Sequence, residues 1–287
     1  MPRVLDGKVI AEQVRENLKD RIENLRSIGI QPKLVVVLVG DDAASASYVR
    51  SKQRMADKLG MAGDVRFLPV TVTQGELIRE VEQLNADPTV DGILVQFPLP
   101  SHIDTEAVLA AVDPDKDVDG FHPYNVGRYA TGSPVIWPCT TAGIYEILKR
   151  SDISIAGKTA VIVGRSQIVG WPTGQLLLTH NATVIQCHSK TEDLRKFTLQ
   201  ADILVVAVGQ AGLIGADDVR SGATVIDVGI NRVDGRLVGD VDFESVQEKA
   251  GAITPVPGGV GPLTVTMLMH NTIELATRRR GLEKWGR

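Results

Sequence analysis

Ala160-Val161-Ile162-Val163-Gly164-Arg165-Ser166-Gln167-Ile168-Val169-Gly170 runs from an apolar stretch of strand length through a turn of small and polar residues into a helical stretch. A strand ending in such a turn lets backbone N–H groups and the following helix N-terminus approach a pyrophosphate. Against the G-x-G-x-x-G pattern, Ser166 takes the second glycine position, Val169 the third, and Gly170 comes one place late. The pattern match is therefore weak, and the strand-to-helix context carries the reading. Beyond it, strands are predicted at 159–163, 183–187, 202–208 and 224–228, with helices at about 169–179 and 191–199. Parallel strands buried on both faces read as continuous apolar runs, so this alternation marks successive βαβ crossovers.

The alternation recurs upstream. Ile10, Val14, Leu18, Ile22 and Leu25, behind Asp6 as a cap, make a one-sided helical pattern. An apolar run at 34–39 follows, then a helical stretch at about 44–59, a strand at 65–70, a helix at about 75–85 and the run Gly92-Ile93-Leu94-Val95. Residues 112–139 break the rhythm with four prolines, three glycines and the alternating Asp113, Asp115, Asp117 and Asp119, and read as a linker or active-site loop. Near the C-terminus, Thr254-Pro255-Val256-Pro257-Gly258-Gly259-Val260-Gly261-Pro262 leads into a last helix running to about Arg279, with Pro262 suited to its first turn. That helix is placed to pack back on the first domain. The expected fold class is α/β, with two α/β domains, the second a Rossmann-like doubly wound parallel sheet. The boundaries fall at 1–138 plus 262–287 for the first domain and 139–261 for the second.

Composition narrows the function. A length of 287 residues suits two domains, and 43% hydrophobic with 23% charged residues is ordinary for a globular chain. A net charge of −4 repels polyanions, which argues against nucleic acid as the main partner. The longest apolar runs fall far short of the roughly 18 residues that span a bilayer, so no membrane partner is expected. Two cysteines, Cys139 and Cys187, make neither a disulfide framework nor a four-cysteine zinc site, and no charged-then-apolar leader opens the chain; both points favour the cytoplasm.

Several polar residues stand where chemistry could use them. A dinucleotide site that reads the ribose 2′-hydroxyl has an acid about 20 residues past its turn. Here that strand ends Cys187-His188-Ser189-Lys190. A hydroxyl and an ammonium there, with Arg165 in the turn, suit a 2′-phosphate and favour NADP over NAD; solvated surface charges are the alternative. Tyr48 and Lys52 share a helix face at i, i+4, and apolar walls around such a pair lower a lysine pKa into the range of acid/base work. Spacing alone favours the plainer reading, an exposed lysine and a half-buried tyrosine. Gln96 follows Ile93-Leu94-Val95 at the carboxyl end of a predicted strand, where open α/β sheets bind ligands, although a solvated loop glutamine fits as well. Counted from Asp115, the aspartates imitate the start of a calcium loop, but position 12 is Val126 and Pro123 interrupts, so calcium is rejected. A carboxylate such as Asp119 could instead accept two parallel N–H bonds from an amidine-like heterocycle edge. The histidines show no paired metal-ligand spacing, and no metal site is expected.

Taken together, the chain resembles the bifunctional methylenetetrahydrofolate dehydrogenase/cyclohydrolase family. The resemblance rests on Tyr48-Val49-x-x-Lys52, Asp91 to Pro100 (DGILVQFPLP), Lys116 to Pro123 (KDVDGFHP), Pro138-Cys139-Thr140, Gly164-Arg165-Ser166, Cys187-His188-Ser189 and Pro255 to Pro262 (PVPGGVGP), in order along nearly the whole chain. It implies oxidation of 5,10-methylenetetrahydrofolate by NADP+ to the methenyl cation, then hydrolysis to 10-formyltetrahydrofolate, as part of one-carbon metabolism, with one cleft between the domains serving both steps. It further implies Lys52 as the main catalytic residue, Tyr48 positioning folate and Lys52, Gln96 hydrogen-bonding Lys52, and Asp119 gripping the pterin edge. Gly259 and Pro262 would line the folate and nicotinamide sites, and Gly164, Arg165, Ser166, Ser189 and Ile230 would contact NADP. The family resemblance also implies a homodimer. The chain departs from the family pattern at Thr141, Trp171 and Lys190, which bears on the strength of NADP preference. Because the first step creates a cation beside Lys52, that lysine is expected to be at least partly neutral. Rival readings are a monofunctional dehydrogenase, a shikimate-dehydrogenase-like oxidoreductase and a dinucleotide-binding regulator without turnover.

Overall fold

Both series of apolar runs become parallel strands. The computed structural model describes residues 3–282. Its first half runs β1 (Arg3–Val4), α1 (Gly7–Ser27), β2 (Lys33–Val39), α2 (Ala43–Leu59), β3 (Ala62–Leu68), α3 (Gln74–Ala86), β4 (Gly92–Val95), α4 (Thr105–Ala111), α5 (Pro123–Ala130) and α6 (Cys139–Arg150). The second half runs β5 (Thr159–Val163), α7 (Gly170–Thr179), β6 (Thr183–Cys187), α8 (Leu194–Thr198), β7 (Ile203–Val206), β8 (Thr224–Asp227), β9 (Asn231–Val233), β10 (Arg236–Val238), α9 (Phe243–Val246), β11 (Ala252–Ile253) and α10 (Gly261–Arg279).

The described residues fall into two compact units, one of 3–12, 129–133 and 140–264, the other of 13–128, 134–139 and 265–282. In the first, a six-stranded sheet is ordered β1-β11-β8-β7-β5-β6. All its pairings are parallel, with Val161 opposite both Ile185 and Leu204. The chain steps from β5 outward to β6, then back across to β7, so β5 is the point where strand order reverses. Its core joins Val161, Val163, Leu204, Val206, Val225 and Ile253 to Val219 and Val246. In the second unit, β2 lies between β3 and β4, also all parallel, and Val35, Val37, Ile93 and Val95 pack with Leu77, Val81 and Leu84 of α3. Among the described residues no helix is long and apolar enough to cross a membrane.

Three stretches fold differently from the sequence expectation, each for a local reason. Residues 112–139 contain α5, because Pro123 stands at the first helical position, where its missing N–H costs nothing. The helix expected at 191–199 shortens to α8, since Thr191 closes a turn with His188: His188 N–H donates to Thr191 Oγ1 at 2.8 Å and Thr191 N–H to His188 O at 2.8 Å. Asp234-Gly235, with φ of 48° and 77°, turns β9 back on β10 as a two-residue hairpin that the reading passed over.

Two buried charges tie the three-stranded unit together. Lys116, 1% exposed, donates from Nζ to the carbonyls of Leu84 (2.9 Å), Asn85 (2.7 Å) and Asp87 (2.7 Å), supplying partners for the last turn of α3. Asp91, fully buried, accepts from Lys33 N–H and pairs with Arg279 at 3.0 Å and Arg280 at 2.5 Å. The last helix thereby docks on this unit, as its position in the sequence suggested. Replacing Lys116 with Met keeps the volume but orphans three carbonyls. We expect unfolding free energy to fall by about 3 kcal/mol, read as a lower urea midpoint at unchanged slope; an unchanged midpoint refutes this capping role.

Candidate active site

Helix α2 starts where the Asp42 carboxylate accepts from Ser45 N–H at 2.7 Å and stops at Gly60, whose left-handed conformation returns its N–H to Ala56 and Asp57 carbonyls. Val49, Ala56 and Leu59 are buried apolar residues of this helix. Lys52 falls in the same stripe, three residues after Val49 and four before Ala56, so the helix carries its amine inward. Lys52 Nζ donates to Gln96 Oε1 at 2.8 Å. The Gln96 amide is oriented for this, because its nitrogen donates to Phe97 O at 2.7 Å and leaves the oxygen for Lys52. Gln96 itself is held at the carboxyl end of β4 by its N–H to Val37 O at 2.9 Å. Tyr48, one turn before Lys52, is 55% exposed.

Asp119 reaches the same place from another direction. Residues 116–118 run beside β4, with Ile93 N–H donating to Lys116 O and Ile93 bridging Asp117. The Asp117 carboxylate then folds the turn, accepting from Gly120 N–H, His122 N–H and Asn125 Nδ2 at 2.8–3.1 Å. Asp117, one of the aspartates that imitate a calcium loop, is thus turn scaffolding. Cys139 Sγ lies 3.6 Å from Asp119 Oδ1, and Asn271 of α10 donates to Val118 O (2.9 Å) and Trp137 O (3.0 Å), stapling the two segments together.

Burial governs the charges here. It lowers the Lys52 pKa, against the opposing pull of Asp119 and Cys139. It raises Asp119 to about 6, with Lys52 pulling it down and Asp117 pushing it up. Cys139 is pushed well up, first by burial and then by Asp119, so it stays a thiol. The result is an amine whose pKa is held below that of a free lysine, hydrogen-bonded to Gln96, beside a carboxylate that is charged at neutral pH.

The nucleotide candidates collect at one edge of the six-stranded sheet. Gly164 ends β5 with φ of 128°, and a Cβ there would sit 2.3 Å from Ala207 O, so only glycine fits. A Cβ on Gly170 would meet Gly164 O at 2.3 Å, which gives the late glycine its reason: it lets α7 pack against the turn. Arg165 and Ser166 are exposed in the turn. Ser166 Oγ accepts from Val169 and Gly170 N–H at 3.2 and 3.3 Å, while the N–H groups of 165–168 have no backbone partner among the described residues. Ser189 follows β6 and Ile230, 58% exposed, follows β8, both at carboxyl ends. Gly259 and Pro262 belong to this same unit: Gly259 packs so closely on α1 that a Cβ at Gly7 would lie 1.7 Å from its carbonyl oxygen, and Pro262 is in the first turn of α10.

Known proteins match this arrangement along most of the chain. The catalytic-domain description of tetrahydrofolate dehydrogenase/cyclohydrolase matches residues 5–119, and that of its NAD(P)-binding domain residues 138–280. The chain belongs to the tetrahydrofolate dehydrogenase/cyclohydrolase family. A bifunctional protein FolD from an Exiguobacterium species is 58% identical over 97% of this chain and 100% of its own. The structure of the bifunctional methylenetetrahydrofolate dehydrogenase/cyclohydrolase of Campylobacter jejuni superposes with a TM-score of 0.95 at 46% identity, covering 97% of this chain and 100% of that one. That of Trypanosoma brucei, complexed with NADP cofactor and inhibitor, gives 0.91 at 40% identity over 97% and 98%.

Sequence reasoning missed two members of the Lys52 cluster. Cys139 stood only in a matching tripeptide, and Asn271 carries no local signal, since the partners of its Nδ2 are 132 to 153 residues away. The inward stripe of α2 was, by contrast, available in the pattern Val49, Lys52, Ala56, Leu59.

The raised Asp119 pKa has an unusual sign for a carboxylate. Between its ordinary value of 3.8 and about 6 the folded state binds the proton more tightly than the unfolded chain, so this group disfavours folding at neutral pH and the penalty fades as pH falls from 6 to 4. Asp119→Asn in this family member is expected to be more stable than the parent at pH 7.5 by about 1–3 kcal/mol, the advantage vanishing near pH 4. Urea denaturation across pH measures it; a constant difference contradicts the assignment.

Proposed function

We propose that this enzyme oxidises 5,10-methylenetetrahydrofolate with NADP+ to 5,10-methenyltetrahydrofolate and hydrolyses that product to 10-formyltetrahydrofolate. The observation that carries the reading is Lys52: a lysine on the buried stripe of α2, hydrogen-bonded to an oriented Gln96, with Asp119 beside it. Membership of the family and the FolD names of its relatives support the reaction pair.

The turn after β5 fits NADP. Its glycine leaves room for close backbone approach, its unpartnered N–H groups suit phosphate oxygens, and the switch point at β5 is where such sheets take nucleotides. When bound, NADP+ supplies the acceptor for the hydride that leaves the folate methylene. Gly164, Arg165, Ser166, Ser189 and Ile230 would hold it, Arg165 and Ser189 serving the 2′-phosphate.

Asp119, charged above pH 6, would accept paired N–H bonds from the pterin edge. Tyr48 would orient the folate over Lys52, with Gly259 and Pro262 lining the folate and nicotinamide sites. Oxidation demands mainly positioning, because the folate product is a resonance-stabilised cation. Burial of Lys52 helps here, since a neutral amine does not oppose the new positive charge. In hydrolysis Lys52, in its neutral form, would keep one N–H on Gln96 and offer its lone pair to a water attacking the cationic carbon; the proton it takes up would pass to N5 as the C–N5 bond breaks, and the hydroxyl proton would leave as the formyl C=O forms. The protein would work as a homodimer in the cytoplasm, a reading supported by the family resemblance and by two cysteines that are free and buried.

Product analysis with 5,10-methylenetetrahydrofolate and either NADP+ or NAD+ tests both steps. Reduced NADP with accelerated 10-formyl product is the expected outcome; accumulation of the methenyl compound leaves a dehydrogenase alone. Lys52→Arg is expected to lower hydrolysis at least about 100-fold, because arginine cannot act as a base at these pH values. Normal hydrolysis by that variant would refute the base role.

A further inference from the structure

The six-stranded unit holds two buried carboxylates that the proposed mechanism does not use. Asp227 ends β8 and Asp240 follows the β9–β10 hairpin; they are 3% and 0% exposed. Asp227 Oδ1 accepts from Gly229 N–H (2.9 Å) and Asp240 N–H (3.0 Å), and Oδ2 from Val241 N–H (3.0 Å). Asp240 Oδ2 accepts from Val208 N–H (2.7 Å) and Gly209 N–H (2.9 Å), and Oδ1 from Asn231 Nδ2 (2.8 Å).

Two glycines make this clasp possible, and they do so reciprocally. A Cβ on Gly239, the neighbour of Asp240, would lie 1.7 Å from Asp227 Oδ2. A Cβ on Gly229, two residues past Asp227, would lie 2.3 Å from Asp240 Oδ1. Each carboxylate occupies the notch left by a glycine near the other. Neither glycine has a positive φ, so space rather than backbone conformation demands them.

The loops held by the clasp flank the nucleotide edge. Val208 and Gly209 continue from Ala207, whose carbonyl closes against Gly164, and Ile230 sits between Gly229 and Asn231, both gripped. We propose that Asp240 is a positioning residue for NADP: by accepting from 208, 209 and 231 at once, its carboxylate sets the loops after β7 and β8 in the nucleotide-binding shape. The inference rests on the nucleotide reading above. It makes Asp240 act on the cofactor through backbone, without touching it.

Full-length parent, Asp240→Ala, Asp240→Asn and Asp202→Asn proteins decide the matter. Asp202 serves as the control for general destabilisation, since it ties Thr159 N–H and Arg220 at the amino ends of the same strands. For Asp240→Ala we expect the Kd and KM for NADP+ to rise about tenfold or more while the folate KM stays within about twofold. Asp240→Asn is expected to restore binding, because its amide oxygen can take both loop N–H groups while its nitrogen donates to a flipped Asn231 amide. Asp202→Asn should lower Tm with no change in NADP+ affinity. Parental NADP+ affinity in Asp240→Ala, or an equal rise in both KM values, overturns the proposal and leaves the nucleotide reading intact. A parent enzyme that does not bind NADP+ overturns both. Should Asp240→Ala fail to fold, Asn231→Ala carries the decision: an NADP+ Kd raised about threefold supports the positioning role and an unchanged one refutes it.

Discussion

A parallel strand buried on both faces has nowhere to expose a polar side chain except at its ends, and this constraint organises the protein. The central strands β2, β4, β5 and β7 are mostly valine, isoleucine and leucine until they stop, while the edge strands β3 and β6 are only partly buried and carry polar residues. Polar groups then come at once: Gln96 after β4, the glycine turn after β5, Ser189 after β6, the backbone N–H groups of Val208 and Gly209 after β7, and Asp227 at the end of β8. Chemistry collects at carboxyl edges because the rest of each strand is committed to the core.

Charges placed behind those edges are handled in two ways. Some are fully partnered and serve as fasteners: Lys116 on three carbonyls, Asp91 on two arginines, Asp117 on a turn, Asp227 and Asp240 on a set of loop N–H groups. Lys52 and Asp119 have fewer partners. Lys52 has one hydrogen bond to a neutral amide, and Asp119 has a thiol, so burial moves both pKa values toward the neutral forms. Burial moves Lys116 and Asp227 the same way, so the number of hydrogen-bond partners, not the direction of the shift, sets the fasteners apart from Lys52 and Asp119.

Much of the fold was legible because it is periodic. Strands 159–163, 183–187 and Gly92–Val95 were placed to the residue, and the last helix with Pro262 in its first turn, since apolar runs and helical spacing are local signals. Short elements were not: β1 and β11 have two residues each, too few to show a period, and the hairpin around Asp234-Gly235 had a turn signal but weak strands on either side. Pro123 was misleading, because a proline breaks a helix interior but opens a helix equally well.

The sequence by itself determined the strand-and-helix order, the glycine turn after β5 and, through the resemblance, the residues Tyr48, Lys52, Gln96 and Asp119. All of these are carried by neighbours within a few positions or by contiguous matching stretches. Only the tertiary structure decided that Gln96 turns its oxygen toward Lys52, that Cys139 and Asn271 stand behind Asp119, and that Gly229 and Gly239 make room for two distant carboxylates. The contacts across the chain join residues from about ten to more than 150 positions apart. Hydrogen bonds and close packing act through space over a few ångströms, and no spacing along the chain records which segments folding will bring within that reach.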